Sequence, residues 1–167
     1  MTKQLAQYSV SAENSRVIRV FLSSTFRDME MERSALVKLF KGLQVKAASR
    51  GATISLVDLR WEITEEDAKS GKVVEICLKE IVNSRPFFIG MVGDRYGWCP
   101  SYEDLSQTLN DSLEYRWIED DLNHHLSVTE IEMQFGVLRN PNPLHAYFYI
   151  KQSADDELSC PKEESLK

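Results

Sequence analysis

The run "PFFIGMVG" (Pro86 to Gly93) is apolar without alternation over the length of one strand. A strand with one wet face alternates, so an unbroken apolar run marks a strand covered on both faces, as in a parallel sheet flanked by helices. Three other segments have strand length and make-up: "VIRVFLSS" (Val17 to Ser24), "TISLVDL" (Thr53 to Leu59) and "HAYFYI" (His145 to Ile150). Helical patterns separate them. Leu36, Leu39, Phe40 and Leu43 predict an amphipathic helix over 29–49, with Glu30, Glu32, Arg33, Lys38 and Lys41 on its other faces. Gly51 stands where a left-handed residue would end that helix.

"VVEICLKEIVNS" (Val73 to Ser84) predicts a second helix, and "SVTEIEMQFGVL" (Ser127 to Leu138) a later one with Val128, Ile131, Phe135 and Leu138 as its buried stripe. The stretch from Tyr96 to His125 is too long for a plain loop, and "DSLEYRWIEDDL" (Asp111 to Leu122) predicts an extra acidic helix within it. Strands alternating with helices predict an α/β fold: a parallel sheet with the first strand central between the second and third, and helices on both faces.

The 167 residues, 43% hydrophobic, suit one domain over 16–151, with a flexible N-terminus over 1–15. The polar end "QSADDELSCPKEESLK" (Gln152 to Lys167) reads as a linker to further domains. A net charge of -6 argues against nucleic acid and anionic membrane as partners. The three cysteines include no CxxC pair, and Cys77 lies among apolar residues, which suits a reduced thiol in a reducing compartment. With no bilayer-length apolar stretch and no signal-peptide core, a cytoplasmic location is expected.

In open parallel sheets, ligands bind beyond the carboxyl ends of the strands. Unusual residues stand at three such ends: Ser23, Ser24 and Thr25; then Asp58, Arg60 and Trp61; then Gly93, Asp94, Arg95, Tyr96, Gly97 and Trp98. Plainer roles compete. Ser23 to Thr25 could form a turn leading to an Asp28 N-cap. Asp58 with Arg60, or Asp94 with Arg95, could be local ion pairs, and the tryptophans could be packing. No metal ligand set stands out, since His124 and His125 are adjacent and His145 opens a strand. The sequence contains no HExxH, no Ser-His-Asp signal and no phosphate-loop GxxxxGK.

Glu130 and Glu132 lie in the first turns of the late helix, about 200° apart at about 100° per residue, so they face different surroundings. Glu132 falls nearer the apolar stripe and is the better candidate for the pocket wall, leaving Glu130 to solvent. Both Ser127-Val-Thr-Glu130 and Thr129-Glu-Ile-Glu132 also spell a capping box.

"VFLSSTFRDMEMER", "VDLRWEITEEDAKSGKVVEICLKEI", "RPFFIGMVGDRYGWCP" and "SVTEIEMQFGVL" together resemble, from Arg16 to Ile150, the family called domain of unknown function 4062. That resemblance implies a place at the N-terminus of a large protein, ahead of a NACHT-type or related NTPase and a repeat array. The family is similar in turn to Toll/interleukin-1 receptor (TIR) domains and nucleoside 2-deoxyribosyltransferases, which implies a flavodoxin-like, three-layer fold. "TEIEMQFG" looks like the transferase helix that carries a threonine, here Thr129, and the catalytic glutamate three residues on, here Glu132, although Gln134 replaces the usual later glycine. The TIR pattern, a glutamate before an aliphatic residue, fits Glu130-Ile131 or Glu132-Met133.

The implied chemistry is cleavage of the N-glycosidic bond of NAD or a related nucleotide, with no separate cofactor. Hydroxyls after the first strand would hold sugar or phosphate, and Trp98 or Trp61 would stack on the base. The implied alternative is a non-catalytic adaptor that self-associates or recruits partners. In the enzyme reading, oligomerisation of the attached NTPase would switch the activity on.

Overall fold

The computed structural model describes residues 16–59, 72–111, 115–120, 124–140 and 145–152. Four strands form one parallel sheet in the order β2-β1-β3-β4. β1 (Val17–Ser23) is central, paired with β2 (Thr53–Val57) on one side and β3 (Phe87–Val92) on the other, as the sequence pattern predicts. β4 (His145–Ile150) pairs with β3 along its whole length, Phe87 opposite His145 through Val92 opposite Ile150.

Alternate residues of the central strands feed two cores. Phe21, Val57 and Phe88 join the larger cluster on one face, while Leu22 and Met91 join a smaller one on the other. α1 (Glu30–Ala48) covers the smaller cluster through Leu36 and ends as expected at Gly51, which has φ 69°. Two expectations for α1 fail. Leu39 is exposed, because the stripe that meets the sheet runs through Leu36, Phe40 and Leu43. Asp28 is not the N-cap: Met29 holds that position without a side-chain bond, and the Asp28 carboxylate is engaged elsewhere.

α2 (Val73–Ser84) covers the opposite face with Val74, Cys77, Leu78 and Ile81, spaced as one helical stripe. Within the span expected to form an acidic helix, Asp111 to Leu122, the described residues hold α4 (Arg116–Asp120), and a helix that the sequence reading did not name, α3 (Tyr102–Asp111), precedes it. The signal for α3 is a capping box: the Asp104 N–H donates to Ser101 Oγ at 3.3 Å while Asp104 Oδ2 accepts from the Ser101 N–H at 2.8 Å. Leu105 and Ile118 carry the pair into the larger core.

α5 (Val128–Met133) continues directly as a π turn, Gln134–Leu138. Ile131 and Phe135 are buried as expected, but Leu138 is exposed. The wider π turn adds a residue to the helical period, so the fourth member of the stripe rotates out of the core. Phe148 of β4 lies over Gly90, where a Cβ would stand 2.6 Å from its ring.

Candidate functional site

A cleft of about 440 Å³ opens beyond the carboxyl ends of β1 and β3. Thr25, Phe26 and Arg27, from the segment joining β1 to α1, line it on one side; Arg95, Gly97 and Trp98, following β3, line it on another. Thr129 and Glu132 of α5 complete the wall, with Leu22, Ser24, Arg33 and Cys77 deeper.

Glu132 is only 8% exposed, held by α5, whose N-cap Ser127 accepts the Glu130 N–H at 3.2 Å. The Ser23 hydroxyl, at the last position of β1, donates to Glu132 Oε2 at 2.6 Å. Burial pushes the Glu132 carboxyl up, and the hydrogen bonds from Ser23 and Cys77, with the nearby Arg33 charge, only partly oppose this. The same arrangement pushes the Cys77 thiol well above its ordinary range, first by burial and then by the neighbouring Glu132 carboxylate.

Arg33 lies beneath the cleft, 1% exposed. Its Nε donates to Ser24 Oγ at 2.6 Å, its Nη2 to the Ser24 carbonyl at 2.8 Å and its Nη1 to Asp58 Oδ1, while the guanidinium lies 4.8 Å from the Phe26 ring centroid. One planar fork from α1 thus joins the carboxyl end of β1 to the residue following β2. The charged neighbours of Arg33 suggest a solvated face, and the structure buries it instead. Its spacing to Leu36, Phe40 and Leu43 was the signal that could have found it, since all four share one stripe.

Asp28 ties two edges of the cleft together: Thr25 Oγ1 donates to its Oδ1 and the Arg95 N–H donates to its Oδ2 at 3.1 Å. Burial acts to raise its pKa, but those bonds outweigh burial and leave the carboxyl below its ordinary value. Gly93 makes room for this contact, since a Cβ there would stand 2.4 Å from Asp28 Oδ2. Gly97 has φ 99°, and a Cβ on it would approach Thr25 Cγ2 to 3.2 Å and Thr129 Oγ1 to 3.4 Å. The close meeting of three segments at the cleft therefore depends on glycine.

The two glutamates face apart as their helical phase predicts, but Glu130 is half-buried rather than left to solvent. Glu130 faces away from Glu132: Tyr96 donates its hydroxyl to Oε2, and Gln134 Nε2 donates to Oε1 at 3.2 Å. The bond to Glu130 raises the Tyr96 pKa. Among the residues singled out in the sequence, Ser24, Thr25, Arg95, Trp98, Thr129 and Glu132 come together in the cleft lining. Ser23 supports Glu132, and Asp58 supports Arg33. Tyr96 and the exposed Asp94 are not in the lining, and Arg60 and Trp61 lie outside the described residues. Gly97, also expected at this strand end, is in the lining, whereas Arg33, Phe26, Arg27 and Cys77 are additions that the sequence reading did not place there. Among the described residues, no group of three or more His, Cys, Asp and Glu side chains is placed to hold a metal, and no helix is long and apolar enough to cross a membrane.

The fold and site define an α/β domain with a cleft at the carboxyl ends of a parallel sheet. The family model described as Domain of unknown function (DUF4062) matches residues 19–159, and the chain belongs to that family. It is 40% identical over 128 residues to telomerase protein component 1 of Rattus norvegicus, covering 75% of this chain and 5% of that protein. It is 29% identical over 147 residues to a TPR repeat-containing protein of Dictyostelium discoideum, covering 83% of this chain and 9% of that protein. A shorter match, 33% over 78 residues, joins 43% of the chain to 5% of NACHT domain- and WD repeat-containing protein 1 of Mus musculus. The chain thus corresponds to a small part of these large proteins. No solved structure matches it.

Proposed function

We propose that this domain is an effector module of a larger NTPase-type protein and that it cleaves the N-glycosidic bond of a nucleotide, NAD or a close relative, in the cleft. The observation that carries this reading is Glu132: a buried carboxylate on the wall of an open cleft, held by Ser23 on one oxygen. A carboxylate so fixed is suited to stabilise the positive charge that grows on the anomeric carbon as the bond to the base breaks. The bonding pair leaves with the base nitrogen, water adds its oxygen to the anomeric carbon, and the water proton passes to solvent. Ser24 and Thr25 are near enough to the cleft to bind ribose hydroxyls, and the half-exposed Trp98 indole offers a stacking face to the base.

Glu132 is the active carboxylate in this reading, and Glu130, held by Tyr96, anchors the loop after β3. The test is incubation of the artificially clustered domain with NAD, NADP and nucleosides, following release of the free base. Release by the native protein and by Glu130→Gln, with none from Glu132→Gln, supports the assignment. A second reading, a self-associating adaptor, is supported by a different observation, the exposed aromatic residues of β4.

A further inference from the structure

Among the described residues, β4 stands at the outer edge of the sheet. Its side chains remain exposed there: Tyr147 61%, Phe148 41%, Tyr149 57% and Ile150 76%. An edge strand is ordinarily blunted by charge, proline or a bulge, yet "HAYFYI" contains no Asp, Glu, Lys, Arg or Pro and pairs with β3 in unbroken register.

The hydrogen-bond phase of this edge is fixed. The His145 N–H donates to the Pro86 carbonyl at 2.9 Å and the Lys151 N–H to the Val92 carbonyl at 2.8 Å. Alternation along a parallel ladder then turns the odd-numbered backbone groups inward to β3 and those of Ala146, Phe148 and Ile150 outward.

We propose that β4 pairs antiparallel with β4 of a second copy of this chain, about a two-fold axis through Phe148. That axis sets Phe148 opposite its own counterpart and Ala146 opposite Ile150, all with outward-facing backbone groups, so each pair exchanges both N–H···O bonds. Tyr147 falls opposite Tyr149 at the non-bonded positions, where cross-strand side chains stand closest and aromatic pairs stabilise most. The sequence Tyr-Phe-Tyr is symmetric about the axis, and no like charges oppose one another within the paired strands. Aromatic side chains present about 150–250 Å² each. With Ile150 included, the exposed fractions offer at most about 900 Å² over both copies, below the roughly 1,000 Å² that a stable interface clears. The pairing is therefore a weak, reversible dimer that rises with local concentration.

The test uses the 167-residue chain in sedimentation velocity across a concentration series, with two proline variants. Native protein should pass reversibly from monomer to dimer. Ile150→Pro removes an outward N–H that the monomer does not use, so it should shift the dimerisation midpoint upward about tenfold or more with melting temperature unchanged. Tyr149→Pro removes an inward ladder bond and should lower the melting temperature. A native chain monomeric at every concentration would overturn the proposal. Undiminished dimerisation of Ile150→Pro, or unchanged melting of Tyr149→Pro, would equally overturn it, because each contradicts the assigned phase.

Discussion

Arg33→Met leaves a methylene stem of similar reach in place of a guanidinium that is 1% exposed and ion-paired with an Asp58 that is 7% exposed. Removing one member of a pair buried this deeply takes the Arg33 charge from Asp58 in a poor solvent, a loss of about 3–5 kcal/mol. The Ser24 hydroxyl and carbonyl also lose the bonds they receive from Arg33. At about 2–4 °C per kcal/mol for a chain of this size, the melting temperature should fall by roughly 6–20 °C. Urea unfolding followed by circular dichroism measures the free energy, with the slope expected to stay constant while the midpoint drops. Arg33→Met combined with Asp58→Leu removes both charges and should recover about 2 kcal/mol or more of the single variant's loss, since an apolar pair needs no compensation. A single-variant loss below about 1 kcal/mol, or a double-variant loss at or above that of Arg33→Met alone, would refute the view that this ion pair holds the cleft floor.

Glu132→Gln should abolish base release while keeping stability within about 1 kcal/mol, because the amide can still accept from Ser23; chemical denaturation alongside the activity assay checks both. Base release should decline as pH falls through the folded-state pKa of Glu132, which burial places above the ordinary value of 4.5, and a pH–rate profile reads that limb. A carboxyl raised in the fold contributes stability that is complete below its unfolded pKa and lost as pH rises through its folded pKa. Denaturation midpoints of Glu132→Gln relative to native protein should therefore improve from acid to neutral pH. Gly97→Ala forces a side chain into φ 99° against Thr25 and Thr129, and calorimetry should show a loss of about 1–3 kcal/mol.

The strands and α2 were legible because their signals are local: apolar runs of strand length, and a single stripe through Val74, Cys77, Leu78 and Ile81. The opposed directions of Glu130 and Glu132 followed from helical phase alone. What escaped depended on distant partners or on a changed period. Nothing near Asp28 announces that its carboxylate will meet the Arg95 N–H across 67 residues rather than cap α1. Charged neighbours concealed Arg33, whose role exists only once β1 and Asp58 are brought under it. Leu138 was misplaced because the regular 3.6-residue period gives no warning of the π turn at Gln134–Leu138.

Because all four strands run the same way, the backbone has a through-route. It enters β1 at the end of the sheet remote from the cleft, beside Arg16, and leaves β4 at the cleft end. Lys151 marks that exit: its Nζ donates to the Asp28 carbonyl at 2.9 Å and pairs with Glu32 at the same distance. The described chain thus begins at the blind end of the sheet, at Arg16, and finishes beside the mouth of the cleft, at Gln152. A force applied at Lys151 would bear on the Asp28 bracket, whereas one applied at Arg16 would bear on the far end of β1.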